Sequence, residues 1–192
     1  MRHHIRSLCF SNFLLLLSVL LSLNVNAAGN NRQQIAESML KKIDRTTWVS
    51  EGTGQHIIYI FFDPNCPYCH HLYENTRDWI EENEVQLRWI PLGLLTATSA
   101  GKAAAILGAK DPRQAFYENE NHYKRGEGGG GIMEDIPSRE VERKLNTNAS
   151  VFNLSGVGAF PLMLFRAKDN TPYMITGVPP KKNLAIILQN LK

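Results

Sequence analysis

Only three cysteines occur in 192 residues, and no apolar stretch reaches bilayer length. The longest, Phe13 to Leu23, is 11 residues, against the roughly 20 needed for a membrane-spanning helix. Three cysteines cannot make the multi-bridge framework that staples small exported proteins. Charge of either sign is also scarce: Lys and Arg number 21 and Asp and Glu 18, a formal charge of +3. Two of those charges are Arg2 and Arg6, so the chain beyond residue 27 carries +1. A near-neutral body gives no electrostatic case for nucleic acid or an anionic membrane surface. The sequence has no internal repeats.

The N-terminus has a recognisable plan. Arg2, His3, His4 and Arg6 come without an acidic group, the apolar run follows, and Val25-Asn26-Ala27 places small residues at −3 and −1. That is the pattern of a secretory signal peptide over 1–27. Cleavage after Ala27 leaves 165 residues, enough for one domain with its own core. Cys9 lies within the leader, ahead of the greasy run, which argues against a lipoprotein.

Export would remove Cys9 and leave Cys66-Pro67-Tyr68-Cys69 as the only thiol pair, in an oxidising compartment. A bridge across four residues closes too small a loop to stabilise the chain much. The spacing instead suits a dithiol that opens and closes. The pair directly follows Ile57-Ile58-Tyr59-Ile60-Phe61-Phe62, a buried-strand pattern, and the turn Asp63-Pro64-Asn65. Pro67 suits a first helical position. Cys66 is then expected at a helix start, where unpaired N–H groups and the positive helix end stabilise a thiolate. Thiol pKa values in such motifs run from about 3.5 to 7. The expectation is an exposed nucleophilic Cys66 and a buried resolving Cys69, with Pro67 and Tyr68 tuning the couple.

The remaining pattern predicts an α/β sandwich with a mixed sheet. Helical spacing over 33–43 gives a linker-like helix within 28–45. Residues 46–192 form the second unit: a strand at 57–62, a helix from about 66 to 82 with Leu72, Trp79 and Ile80 inward, and a parallel strand at 85–92. A helical insert covers about 98–153. Within it, Gly126 to Gly131 holds five glycines in six residues and is expected to be a flexible surface loop. A hairpin at 162–165 and 173–176 around Asp169-Asn170 and a helix at 183–191 complete the chain.

Three further residues have two readings each. His70 makes the motif Cys66-Pro67-Tyr68-Cys69-His70, which also spells covalent haem attachment, with Met133, Met163, Met174 or His122 as second ligand. The strand before it points the other way, and His70 and His71 are expected as solvent-facing helix residues. Pro161 is either a strand-starting proline or a cis-proline beside the dithiol. Asp63 is a turn residue first, and only secondarily a partner for proton transfer from Cys69.

Phe62-Asp63-Pro64-Asn65-Cys66-Pro67-Tyr68-Cys69, Val85-Gln86-Leu87-Arg88, Ala103-Ala104-Ala105-Ile106-Leu107 with Lys110-Asp111-Pro112, and Gly177-Val178-Pro179 resemble the bacterial periplasmic disulfide isomerases of the DsbC/DsbG group, the DsbG branch most closely. The resemblance runs from about Trp48 to the C-terminus. It implies a thioredoxin-like fold with a helical insert, Cys66 as nucleophile, Cys69 as resolving thiol and Pro161 as the cis-proline. It also implies exported cysteine-containing proteins as substrates, a membrane redox partner that recharges the dithiol, and no cofactor or metal. Residues 28–44 have room for the family's linker helix but not its dimerisation domain, so a monomer is expected. Phe160 stands where the group often has Thr, and an aromatic there is expected to alter substrate contacts. A redox-independent chaperone or assembly factor on the same fold is the alternative function.

Overall fold

In the computed structural model the chain is described over residues 31–82 and 85–191. The expected signal peptide lies outside the described residues. The apolar run forms β2 (His56–Phe62), the middle strand of a five-stranded sheet ordered β1-β3-β2-β4-β5. The others are β1 (Val49–Glu51), β3 (Val85–Pro91), β4 (Leu162–Arg166) and β5 (Pro172–Thr176). β2 and β3 run parallel, with Ile60 opposite Trp89, while β1–β3, β2–β4 and β4–β5 are antiparallel.

A central strand that reads as unbroken apolar sequence must be covered on both faces. Ile58, Ile60 and Phe62 face one core, packed under α2 (Pro67–Asn75), α3 (Arg77–Glu81), α5 (Pro112–Asn121) and α7 (Lys181–Gln189) through Leu72, Trp79, Phe116 and Leu184. Tyr59 and Phe61 face the other, covered by helix α1 (31–40) through Ala36 and Met39 and by α6 (Arg139–Asn153) through Val151 and Phe152. The two periods, 2.0 in the strand and 3.6 in the helices, therefore assemble three layers. α4 (Ser99–Gly108) completes the insert.

Three expectations need correction. The helix after the dithiol is broken at Thr76, whose Oγ1 donates to Leu72 O at 3.0 Å and Tyr73 O at 3.1 Å. Such a local side-chain bond competes with the helical ladder and ends it. The edge strand β1 is unforeseen, because three residues are too few for period-2 alternation to register. It turns Glu51 inward, 0% exposed, onto Arg77 at 2.7 and 2.9 Å and the Trp89 indole at 2.6 Å. The glycine run is a surface loop only in its first half: Gly126 to Gly128 are exposed, whereas Gly129 and Gly130 are buried against the turn that precedes the dithiol.

Candidate active site: a dithiol at a helix start

The helix α2 begins because Pro67 pre-sets its first residue and Cys66 caps it. Cys66 takes extended backbone (φ −78°, ψ 116°), and its Sγ accepts the Cys69 N–H at 3.4 Å. The sulfur thus occupies the place a Ser or Asp oxygen takes in ordinary N-caps. The Cys69 thiol also donates to it, and this bond, more than the Cys69 and Tyr68 amides, holds the Cys66 thiol below its ordinary pKa against burial and the charge of Asp63. One turn on, burial pushes the Cys69 thiol well above its ordinary value. Both are free thiols. The expectation of an exposed Cys66 is corrected: it is 4% exposed, with the Phe160 carbonyl 3.8 Å from its sulfur, while the next two residues, Pro67 and Tyr68, are exposed.

The Phe160–Pro161 peptide is cis. The Phe160 ring turns inward onto Phe152, with centroids 5.0 Å apart, so its backbone oxygen and not its ring is the group facing the thiol. Beside it, Tyr68, His71, Phe160, Val178, Pro179 and Lys181 border a groove of about 570 Å³. Tyr68 is 65% exposed at its rim.

Asp63 is a turn residue in full. Its buried carboxylate accepts from Asn65 N (3.0 Å), Ser99 Oγ (2.7 Å), Leu94 N (2.8 Å) and Leu95 N (2.9 Å). Those four donors bind the strand end to the start of the insert.

His70 is not solvent-facing as expected, although His71 is. The His70 ring lies on Tyr123 at 4.3 Å with planes 8° apart, its Nδ1 is 3.0 Å from the Glu120 carboxylate and its Nε2 3.5 Å from Glu74. Both ring nitrogens face acids, which is unlike the free nitrogen an axial haem ligand needs. Met163, one of the candidate second ligands, is 0% exposed within β4. Burial raises the Glu120 carboxyl above its ordinary pKa, and the His70 hydrogen bond opposes that. Tyr123, pushed up to about 12 by burial and by the charge of Cys66, donates to Asn65 O at 2.8 Å.

Sequence reasoning missed this insert-side wall: Lys102, Asn119, Glu120, Tyr123 and the glycine loop. Their partners lie 26 to 58 residues away, beyond any local pattern. The one available signal was the clustering of five glycines, which marks close backbone approach as well as freedom.

A capped, polarised thiol, a second thiol sealed one turn behind it and the carbonyl that precedes a cis-proline facing the first, on a mixed five-stranded sheet, define the thioredoxin-like class of dithiol proteins. The chain belongs to the thioredoxin-like domain family, whose model matches residues 43–192. It is 31% identical to the thiol:disulfide interchange protein DsbG of Pseudomonas aeruginosa over 156 residues, and to that of Escherichia coli over 157. The alignments cover 80% and 79% of this chain, which spans about three fifths of those relatives' length. A linker-deletion mutant of Proteus mirabilis ScsC shares the fold with a TM-score of 0.69 at 16% identity, over 98% of this chain and 97% of that one.

Proposed function

We propose that this protein exchanges disulfides with cysteine-containing polypeptides through Cys66 and Cys69. The observation that carries the reading is the opposite treatment of two thiols one turn apart. Cys66 is capped, hydrogen-bonded and drawn toward the thiolate, while Cys69 is sealed and kept protonated. The Cys66 thiolate attacks a substrate disulfide, forming a mixed disulfide and releasing one substrate thiol. Cys69 then gives up its proton and attacks Cys66 Sγ, releasing the second substrate thiol and closing the Cys66–Cys69 bridge. Two electrons pass to the substrate. Run in reverse, the same steps oxidise a substrate dithiol, and attack followed by release at a different cysteine isomerises with no net electron flow.

The groove beside Phe160 and Pro161 receives the polypeptide. The relatives named for thiol–disulfide interchange support this activity, and the N-terminal pattern of residues 1–27 supports export to the periplasm. A second protein must then recharge the dithiol, by accepting electrons for oxidase work or supplying them for isomerase and reductase work.

The test is trapping. Cys66→Ala abolishes turnover, whereas Cys69→Ala accumulates mixed disulfides with clients, read on non-reducing gels. Equal trapping by both variants contradicts the assigned roles. Binding that survives loss of both cysteines, without turnover in the parent, supports the chaperone alternative. Equilibrium with glutathione sets the direction: a potential of about −120 mV marks an oxidase and one of about −270 mV a reductant.

A further inference from the structure

We propose that Lys102 is a positioning residue for Cys66: its ammonium joins the Asn65 side chain to the Gly126–Gly131 loop and so holds the turn that presents the thiol. This rests on the dithiol reading above. Lys102 sits on α4, 8% exposed, and its Nζ donates to Asn65 Oδ1 at 2.8 Å, Gly128 O at 2.8 Å and Gly130 O at 2.7 Å. An ammonium has three protons, and all three are used on uncharged oxygens. Burying a cation costs several kcal/mol. Here the neighbours that share its protons are a side-chain amide and two loop carbonyls, with Asp63 and Glu134 attracting it only at longer range. The arrangement joins segments and does not pair charges.

Both ends of the joint bear on Cys66. Asn65 precedes it in the chain, and its Nδ2 is fixed by Thr96 Oγ1 and Thr98 Oγ1, each at 2.7 Å. Gly130 N donates to Pro64 O at 3.1 Å and to Asn65 Oδ1 at 3.2 Å, so the loop grips the same turn. The approach needs glycine: Gly129 has φ +78°, and a Cβ there would stand 2.6 Å from Asn65 Cα. Remove the ammonium and three oxygens converge with nothing between them. The loop then loses two of its ties, and Asn65 loses the charged one of the contacts that hold it.

The experiment is a double-mutant cycle of Lys102→Met and Asn65→Ala on the reduced full chain. The readouts are the Cys66 titration midpoint by thiolate absorbance, tryptic cleavage after Lys124 or Arg125 at the start of the loop, and the thermal midpoint. Each single variant is expected to raise the Cys66 midpoint by about one unit, a ten-fold loss of thiolate below it. Tryptic cleavage of the loop is expected to accelerate. The double variant's shift should fall short of the sum of the two singles, since both remove the one contact that Lys102 and Asn65 share. Lys102→Arg, which keeps the charge and the reach, should restore most of the effect. A folded Lys102→Met with an unchanged midpoint, or a double variant whose shift is the full sum, overturns the inference. If Lys102→Met does not fold, an unchanged midpoint in Asn65→Ala overturns it alone. A parent whose Cys66 titrates as an ordinary thiol defeats the disulfide-exchange reading instead, so the two failures are distinct.

Discussion

Replacing Cys69 by Ala should make Cys66 a weaker acid as well as trap mixed disulfides. Two kinds of donor stabilise the Cys66 thiolate: the Cys69 thiol, which contributes most, and the amides at the start of α2, including Cys69 N–H at 3.4 Å. The substitution removes the first and leaves the second. A hydrogen bond to a charged group is worth about 1.5–3 kcal/mol, and a thiol is a weak donor, so the lower end applies. With Cys66 only 4% exposed, water replaces little of that loss. At 1.36 kcal/mol per unit, the midpoint should rise by about one unit. The Cys69 and Tyr68 amides remain as donors, opposed by burial and the charge of Asp63. Thiolate absorbance against pH gives the midpoint, and iodoacetamide kinetics check it independently. An unchanged midpoint would show that the second thiol plays no part. A fall in the midpoint would be the opposite of what loss of a donor requires, and the account of the site would fail.

Other outcomes follow from the same geometry. At pH 8 an alkylating reagent should modify Cys66 and spare Cys69 until denaturant is added, since burial raises the Cys69 thiol well above its ordinary range; peptide mass spectrometry reads the selectivity. Cys66 is an acid with a depressed folded-state pKa, so its ionisation stabilises the reduced fold fully above the unfolded thiol's pKa. That increment is lost as pH falls through the folded value, and a Cys66→Ala comparison of denaturation midpoints across the window should show it. Arg77→Met strands the Glu51 carboxylate and should cost about 3 kcal/mol, a fall in Tm of roughly 10 °C, most of it recovered by adding Glu51→Leu. Phe116→Ala empties the space between Phe62 and Trp89, whose rings lie 5.4 and 5.2 Å from its own, and should cost about 3–5 kcal/mol in chemical denaturation.

Much of the fold was legible because its signals are local. The apolar run before the dithiol could only be a strand covered on both faces. Asp111 and Ser138 stand where α5 and α6 are capped, each accepting amides of the first turn. The hairpin was readable from Asp169-Asn170, where Asn170 adopts φ 69°. The failures are of two kinds. β1 is too short to carry a period, and the α2–α3 break depends on one threonine's choice of hydrogen-bond partner. His70 was assigned to solvent because a helix alone does not reveal what packs on it; Tyr123 and Glu120 arrive from the insert 50 or more residues later.

The order of residues by itself determined where the thiol chemistry sits, that a helix starts there and that a sheet supports it, because proline, cysteine and a β-branched run act on their immediate neighbours. Only tertiary structure decided how that chemistry is held. Phe160 meets Cys66 across 94 positions, and Lys102 meets Asn65 across 37. Such contacts form when separately folded pieces close on one another, and their energies depend on distances that no stretch of sequence contains.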